Sequence, residues 1–488
     1  MAGIIGILGQ TGGHDLADGL AQLSHRGRSL RTVMAVGNLA LGVVSDSEED
    51  YFVQGTTAAA IDGRILNLMA KAKATGIKGN NPAEILLRLY RKTGPTGLRE
   101  LDGEFAFVIC DGKDVILGRD RLGVKPLYYA RTTTRQIIAS ELKAISSGAT
   151  DVKYVRPGHG LILHSDQEFN LAHETRPKPL RTGVRASGVR LRKLLRRAIA
   201  RRIDPKERIG VFLSGGIDSA AVALTALDLT SKLVCFTVGT RRSHDLEMAQ
   251  ELAGFLKVES HSRCYNRAQM LAVLPKVIYH LESYDAPLVR SAIPNYLVAE
   301  LTERHGVRQV LIGEGGDELF AGYEDLKVLS GLRLHARLWQ LLNSLHNSGL
   351  QRCDRMPQAF GLQAVIPFLD HDLCRFAFGI DPSLKVNHGV EKWILRKAFE
   401  GLLPGEIVWR RKEKFSAGAG SMFALEDAAR RRYRTRELAL VQRSDPAAGV
   451  RTLEELLYYR VFRSFFPNLS PKALLGRTAL PLGAWGQR

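Results

Sequence analysis

The run Ile209-Gly210-Val211-Phe212-Leu213 leads directly into Ser214-Gly215-Gly216-Ile217-Asp218-Ser219 and then into the alanine-rich Ala220-Ala221-Val222-Ala223-Leu224. A short apolar run, a glycine pair and a stretch of helix formers read as a strand, a tight turn and a helix. Two glycines let the backbone bend closely around an anion, the serines add hydroxyl donors, and the helix start supplies unpaired N–H groups and a partial positive charge. The loop is therefore expected to cradle phosphate. It is not of the Walker type, because no G-x-x-x-x-G-K-[ST] occurs, and the nearest dinucleotide-like run, Gly418-Ala419-Gly420, has Phe423 where a third glycine belongs.

Outward from this loop, strand and helix signals alternate: a strand over 208–213, a helix over 218–229, a strand over 232–238, a helix over 244–256, two further helical stretches and a strand over 309–312. That rhythm predicts βαβ units on a parallel sheet, with ligands at the carboxyl ends of the strands. Upstream, residues 186–202 place Leu191, Leu194, Leu195, Ala198 and Ile199 on one helical face and arginines on the other. Beyond about residue 325 the chain reads as mainly helical. Residues 1–175 have another texture, with short apolar runs at 3–8, 39–45, 105–110, 115–118, 136–139 and 160–163 and one helical stretch at 82–93. This predicts an α+β domain of stacked sheets. The polar segment 172–183, with Pro177 and Pro179, is the expected linker, giving an α+β domain over 1–175 and an α/β domain over 185–488 with a helical C-terminal part.

Composition sets the outer limits. At 488 residues, 45% hydrophobic and 24% charged, the chain is of ordinary globular character, and no run approaches the roughly 18–20 apolar residues of a membrane span. The start, Met1 to Gly9, lacks a basic leader and a small-residue cleavage site, so it is read as a buried strand, and a cytoplasmic location without a membrane partner is expected. Five cysteines, at 110, 235, 264, 353 and 374, form no C-x-x-C pair and suggest neither disulfides nor zinc. A net charge of +19 favours polyanions. The basic run 428–436 could grip RNA or an acidic partner on a non-catalytic protein, but a solvated helix face explains it more simply, and no nucleic-acid-reading module is present.

Beyond composition, the phosphate loop resembles the pyrophosphate loop of the ATP pyrophosphatases. Further segments resemble the glutamine-dependent asparagine synthetase family: Phe236-Thr237-Val238-Gly239, residues 278–285, Gly313-Glu314-Gly315-Gly316-Asp317-Glu318-Leu319-Phe320, Pro367-Phe368-Leu369-Asp370 and residues 411–416, together with 101–107, 118–129 and 139–144 in the first domain. The resemblance runs in order over nearly the whole chain. It implies a first domain of the N-terminal nucleophile type, a second of the ATP-pyrophosphatase type, ATP and Mg²⁺ as cofactors, and amide formation through an acyl adenylate. Ser214, Gly215, Gly216, Asp218 and Ser219 would hold pyrophosphate, and Leu213, Val238, Ile312 and Gly313 match adenosine-contacting positions. Asp218 and Asp317 are the metal-side carboxylates, since an anion beside a triphosphate needs a divalent cation or a lysine between them. Glu314 matches the residue implicated in forming the adenylate, and Lys412 the lysine that stabilises developing charge.

Departures from the family pattern narrow the reading. The family's nucleophilic cysteine falls at Ala2, its substrate-clamping arginine at Val43, the asparagine of its oxyanion pair at Asp62, and its amine-binding aspartate near Pro82. Without a nucleophile there is no covalent step, so the first domain is expected to be an inactive glutaminase, with ammonia or an amine as nitrogen donor. In the second domain the family's G-L-E-A-R-V-P-F-L-D becomes Gly361-Leu362-Gln363-Ala364-Val365-Ile366-Pro367-Phe368-Leu369-Asp370. An arginine fork that would hold an α-carboxylate is absent at Val365, so free aspartate is an assured substrate only if another arginine, Arg355 being the candidate, replaces it. Asparagine-like synthesis from a carboxylate and ammonia is the nearest activity. Ligation of a small-molecule or peptide acid to an amine, as in β-lactam synthetase or the lasso-peptide cyclases, is the alternative. A homodimer is a possible assembly.

Overall fold

The computed structural model describes residues 2–9, 13–27, 30–145, 149, 151–172, 176–179, 183–241, 243–411, 422–469 and 478. The chain forms two compact units, one of Met1–Glu174 with Thr435–Thr452 and Leu456–Leu475, the other of Thr175–Arg434 with Leu453–Glu455 and Gly476–Arg488. The C-terminal helical region thus divides between the units instead of following the second without interruption, as a 185–488 domain would require. Of the expected linker, residues 173–175 and 180–182 lie outside the described residues.

In the first unit, strands β1 (Ala2–Gly9), β2 (Leu30–Val36), β3 (Leu39–Ser45), β4 (Tyr51–Gln54), β5 (Thr57–Ile65), β6 (Gly103–Cys110), β7 (Val115–Arg119), β8 (Tyr128–Arg131), β9 (Arg135–Ala139), β10 (Asp151–Tyr154), β11 (His159–Ile162) and β12 (Gln167–Asn170) make two six-stranded sheets. Their orders are β10-β8-β9-β1-β3-β2 and β12-β11-β7-β6-β5-β4. One core cluster takes Ala2, Ile4 and Val43 from the first sheet and Ala58, Ala106, Leu117 and Leu161 from the second, so the sheets face each other across it. The opposite face of β1, with Ile5 and Ile7, packs under Leu16 and Leu20 of the helix Gly13–Gln22. Helices Leu68–Ala74 and Pro82–Thr93 cover Ile61, Phe105 and Ile109 of the second sheet in the same way. Burial on both faces explains why β1 reads as a continuous apolar run instead of an alternating one.

The second unit holds a five-stranded sheet of order β15-β14-β13-β16-β17, formed by β13 (Ile209–Phe212), β14 (Leu233–Gly239), β15 (Glu259–Cys264), β16 (Gln309–Leu311) and β17 (Gln363–Val365). Every pairing in it is parallel. Each residue of β13 and β14 is buried, as parallel strands between helical layers must be. Helices Ile217–Leu227, His244–Leu256 and Ala286–Arg304 pack against β13 and β14. In the helix Val184–Ala200, Leu191, Leu195, Ala198 and Ile199 are buried while Leu194 is half-buried. Among the described residues no helix is long and apolar enough to cross a membrane.

Candidate active site

Strand β13 ends at Phe212, and the chain turns through Ser214, Gly215 and Gly216 into the helix Ile217–Leu227. Gly215 has φ +67°, and a Cβ there would stand 2.5 Å from Met248 Cβ, so both its conformation and its space require glycine. Ser219 Oγ accepts from the Ser214 N–H at 3.1 Å, lies 3.0 Å from Ser214 Oγ, and donates to the Gly216 carbonyl at 3.1 Å. The two serines therefore pin the loop into a closed bend over the helix N-terminus, where its amides are concentrated. Leu213, Val238 and Ile312, all buried, lie at the carboxyl ends of the neighbouring strands β13, β14 and β16. Gly313 presses on this loop, since a Cβ on it would come within 2.8 Å of the Ser219 backbone nitrogen.

Asp218 and Asp317 converge. Lys392 Nζ donates to Asp218 Oδ2 and lies 2.6 Å from Asp317 Oδ1, and its side chain is almost wholly buried. The two expected metal-side carboxylates thus share a lysine that the sequence reading allowed for in kind but did not identify. Asp218 Oδ1 is a buried acceptor with no hydrogen-bond partner among the described residues. A buried, unsatisfied carboxylate oxygen beside a second carboxylate fits a hard divalent cation, which commonly takes one or two protein carboxylates and completes its shell with phosphate oxygens and water. No group of three or more His, Cys, Asp or Glu side chains placed to hold a metal ion occurs among the described residues.

Glu314 stands in the turn between β16 and the short helix Gly316–Phe320, within a residue of Gly313. Arg352, on the helix Gly349–Gln358, donates from Nη2 to Glu314 Oε2 at 2.7 Å and from Nη1 to Asn295 Oδ1 at 3.1 Å. A Cβ on Gly349 would collide with Glu314 Oε1, so that glycine admits the carboxylate. Burial, with Glu314 and Asp317 nearby, pushes the Glu318 carboxyl up to about 8, and Tyr323 donates its hydroxyl to it. Arg352 and Lys392 are the two site residues that sequence reasoning missed.

Arg355 does not replace the missing arginine. Only 1% of its side chain is exposed, and it is committed to Glu282. Val365 is buried on β17, where its carbonyl accepts from the Ile312 N–H at 2.9 Å, and Gln363 accepts from Gln309 Nε2 at 3.2 Å. Asp370 is structural, capping the helix His371–Gly379 and pairing with Arg202 at 2.8 Å. Lys412 lies outside the described residues, as does the run 418–420. Two residues before Lys412, Arg410 pairs with Asp245 at 2.6 Å and donates to the Gly215 carbonyl at 3.4 Å.

The remaining four positions singled out in the sequence lie in the first unit. Val43 points into the inter-sheet core, and Pro82 is the first residue of a helix capped by Asn81. Ala2 and Asp62 do meet: the Ala2 N–H donates to Asp62 Oδ1 at 3.3 Å, and Arg26 Nε donates to the Ala2 carbonyl at 3.2 Å. The fully buried Arg26 also binds Asp62 Oδ2 at 2.7 Å and Glu141 Oε1 at 2.6 Å. Glu141 in turn pairs with Lys143 and with His25 at 3.0 Å, and burial holds the His25 imidazole below its ordinary pKa.

Comparison with known proteins agrees with both units. A family model described as asparagine synthase matches residues 190–331 and 327–474, and one described as glutamine amidotransferase domain matches 1–158. "Asparagine synthetase [glutamine-hydrolyzing] 2" of Arabidopsis thaliana is 31% identical over 87% of this chain and 78% of its own length. The probable asparagine synthetase of Schizosaccharomyces pombe is 31% identical over 95% and 92%, and asparagine synthetase B of Escherichia coli is 30% identical over 91% and 87%. With a glycine–serine loop at the head of a parallel sheet, paired carboxylates beside it and similarity along nearly its full length, the chain belongs to the asparagine synthase family of ATP-dependent carbon–nitrogen ligases.

Proposed function

We propose that this chain adenylates a carboxylic acid with ATP and passes the acyl group to ammonia or an amine, without hydrolysing glutamine. One oxygen of the acid attacks the α-phosphorus, the bond to the bridging β-oxygen breaks, and pyrophosphate leaves. The amine then attacks the acyl carbon, AMP leaves, and the amine releases a proton. Amides and hydroxyls of Ser214, Gly215, Gly216 and Ser219 hold the departing pyrophosphate, and the ends of β13, β14 and β16 seat the nucleoside. Asp218 and Asp317 would hold Mg²⁺, which neutralises charge on the leaving group when bound. Lys392 keeps the same carboxylates compensated, Glu314 assists adenylate formation, and Lys412 stabilises charge at the reacting centre.

The observation that carries the amine-dependent form is Ala2, which stands where the family's glutaminase places its nucleophile: a methyl group cannot attack an amide. Aspartate or an analogue is the nearest acid. Pyrophosphate release is measured with ATP, Mg²⁺ and a set of acids, with either ammonia or glutamine as nitrogen source. Release driven by ammonia and not by glutamine is expected, and equal rates with the two would refute the inactive-glutaminase reading.

A further inference from the structure

Resting on the ligase reading above, we propose that Arg396 is a positioning residue for ATP: a buried clamp that aims Lys392 at the paired carboxylates and holds it there. Arg396 lies on the helix Trp393–Phe399 with 2% of its surface exposed. Its Nε donates to the Glu391 carbonyl at 2.8 Å, and its Nη2 donates to the Glu391 carboxylate. Nη1 donates to the Val408 carbonyl. The Arg396 N–H donates to the Lys392 carbonyl at 2.9 Å, which closes the turn directly behind Lys392. Glu391 and Val408 belong to separate stretches of chain, and one guanidinium pins both with charge-assisted bonds in a dry interior, where such bonds are strongest.

Lys392 needs such a clamp. Its backbone is left-handed, φ +54°, a conformation that is unfavourable for a residue with a Cβ and persists only where the surroundings dictate it. Arg396 fixes the preceding Glu391 at both its carbonyl and its carboxylate, and Lys327 meets that carboxylate at 3.7 Å. Lys392 donates its own N–H to the Phe320 carbonyl at 3.1 Å. A Cβ on Gly322 would collide with Lys392 Cε and with Asp317 Oδ1, so that glycine leaves the slot through which the lysine reaches the carboxylate. At the other end of the clamp, Val408 stands two residues before Arg410, whose guanidinium meets Asp245 and the Gly215 carbonyl. The turn that carries the lysine is thus joined to the turn that reaches the glycine–serine loop. Sealed from solvent, Arg396 cannot itself meet a nucleotide, and its effect on ATP passes through these two turns.

The test uses the full-length chain, with Mg·ATP binding followed by calorimetry and pyrophosphate release giving KM and kcat. Arg396→Lys keeps a charge for the Glu391 carboxylate but cannot also hold both carbonyls. The dissociation constant for Mg·ATP and the KM for ATP are expected to rise together by roughly tenfold, within the range for residues that orient metal-side ligands. The kcat at saturating ATP should fall by less than about threefold. Arg119→Lys is the control: buried Arg119 straps the carbonyls of Gly123, Lys125 and Val155 in the first unit, so the change should lower the melting temperature and leave both constants alone. Glu391→Gln, which keeps the guanidinium and removes the charge it grips, should raise both constants by a smaller factor. In a Lys392→Met background, Arg396→Lys should weaken Mg·ATP by less than about threefold further, because the clamp then has no lysine to aim. The full tenfold in that background would overturn the proposal. So would Arg396→Lys or Glu391→Gln chains that melt lower yet bind Mg·ATP as the unaltered chain does. Binding of Mg·ATP without pyrophosphate release from any acid would refute the ligase reading, while the positioning role would still be decided by the binding constants. An unaltered chain that binds no Mg·ATP would refute both.

Discussion

Replacing Lys392 by methionine keeps the length and most of the volume of the side chain and removes its charge. In the native chain Lys392 Nζ contacts both Asp218 and Asp317. The carboxylates therefore lie within roughly 5 Å of each other, and without the ammonium their repulsion at an effective dielectric of about 20 is about 3 kcal/mol. Removing one partner of a buried ion pair costs about 3–5 kcal/mol in general, a similar figure. Thermal melting reads this directly. At about 2–4 °C per kcal/mol, the variant should melt roughly 6–12 °C below the native chain at pH 8. Saturating Mg²⁺ and ATP should recover part of the loss, because a divalent cation can take over the lysine's charge. Native melting at pH 8 together with native pyrophosphate release would refute the bridging role.

Three further outcomes follow from single contacts. Gly215→Ala places a Cβ against Met248 at a positive φ, so it should weaken ATP binding at least tenfold in a titration with the nucleotide and lower stability by about 1–3 kcal/mol. Ala2→Cys should not restore glutamate release from glutamine, because Val43 and Pro82 still stand where the glutaminase family has its substrate-clamping arginine and amine-binding aspartate; recovery of glutaminase by this change alone would overturn the inactive-glutaminase reading. Lys385 is fully buried over the Phe378 ring at 4.7 Å, close to His335 and Cys374, with no hydrogen-bond partner for Nζ among the described residues, and burial pushes its amine down to about 7. Between about pH 7 and 10.5 the unfolded chain binds the extra proton, so native stability should rise with pH across that interval. Lys385→Met should flatten the rise and be more stable than the native chain at pH 6.5, by as much as about 4 kcal/mol, as read from urea midpoints at the two ends of the range.

What was legible in the sequence was local. The apolar runs of β1, β3, β6, β13 and β14 are buried on both faces, so hydrophobicity alone marks them. Strand β15, Glu-Ser-His-Ser-Arg-Cys, lies at the sheet edge with alternate residues exposed, and β17 has three residues; neither carries an apolar signal long enough to read. The strand–turn–helix at 209–227 was legible because its strand, glycines, serines and helix are contiguous. Lys392 was not, since it meets Asp218 across 174 positions and sits at the head of its helix in a left-handed conformation, φ +54°. Nothing local distinguishes it from any other lysine. Arg352 is 38 positions from Glu314, on a different helix, and its neighbour Arg355 offered an equally plausible guanidinium from sequence. Only the fold separates the two: they share one side of the helix, about 4.5 Å apart along its axis, and Arg355 meets Glu282 where Arg352 meets Glu314. The same logic applies in the first unit: Ala2 is legible by its identity, but that Arg26 ties the Ala2 carbonyl to Asp62 and Glu141 depends on a fold that brings residues 2, 26, 62 and 141 together.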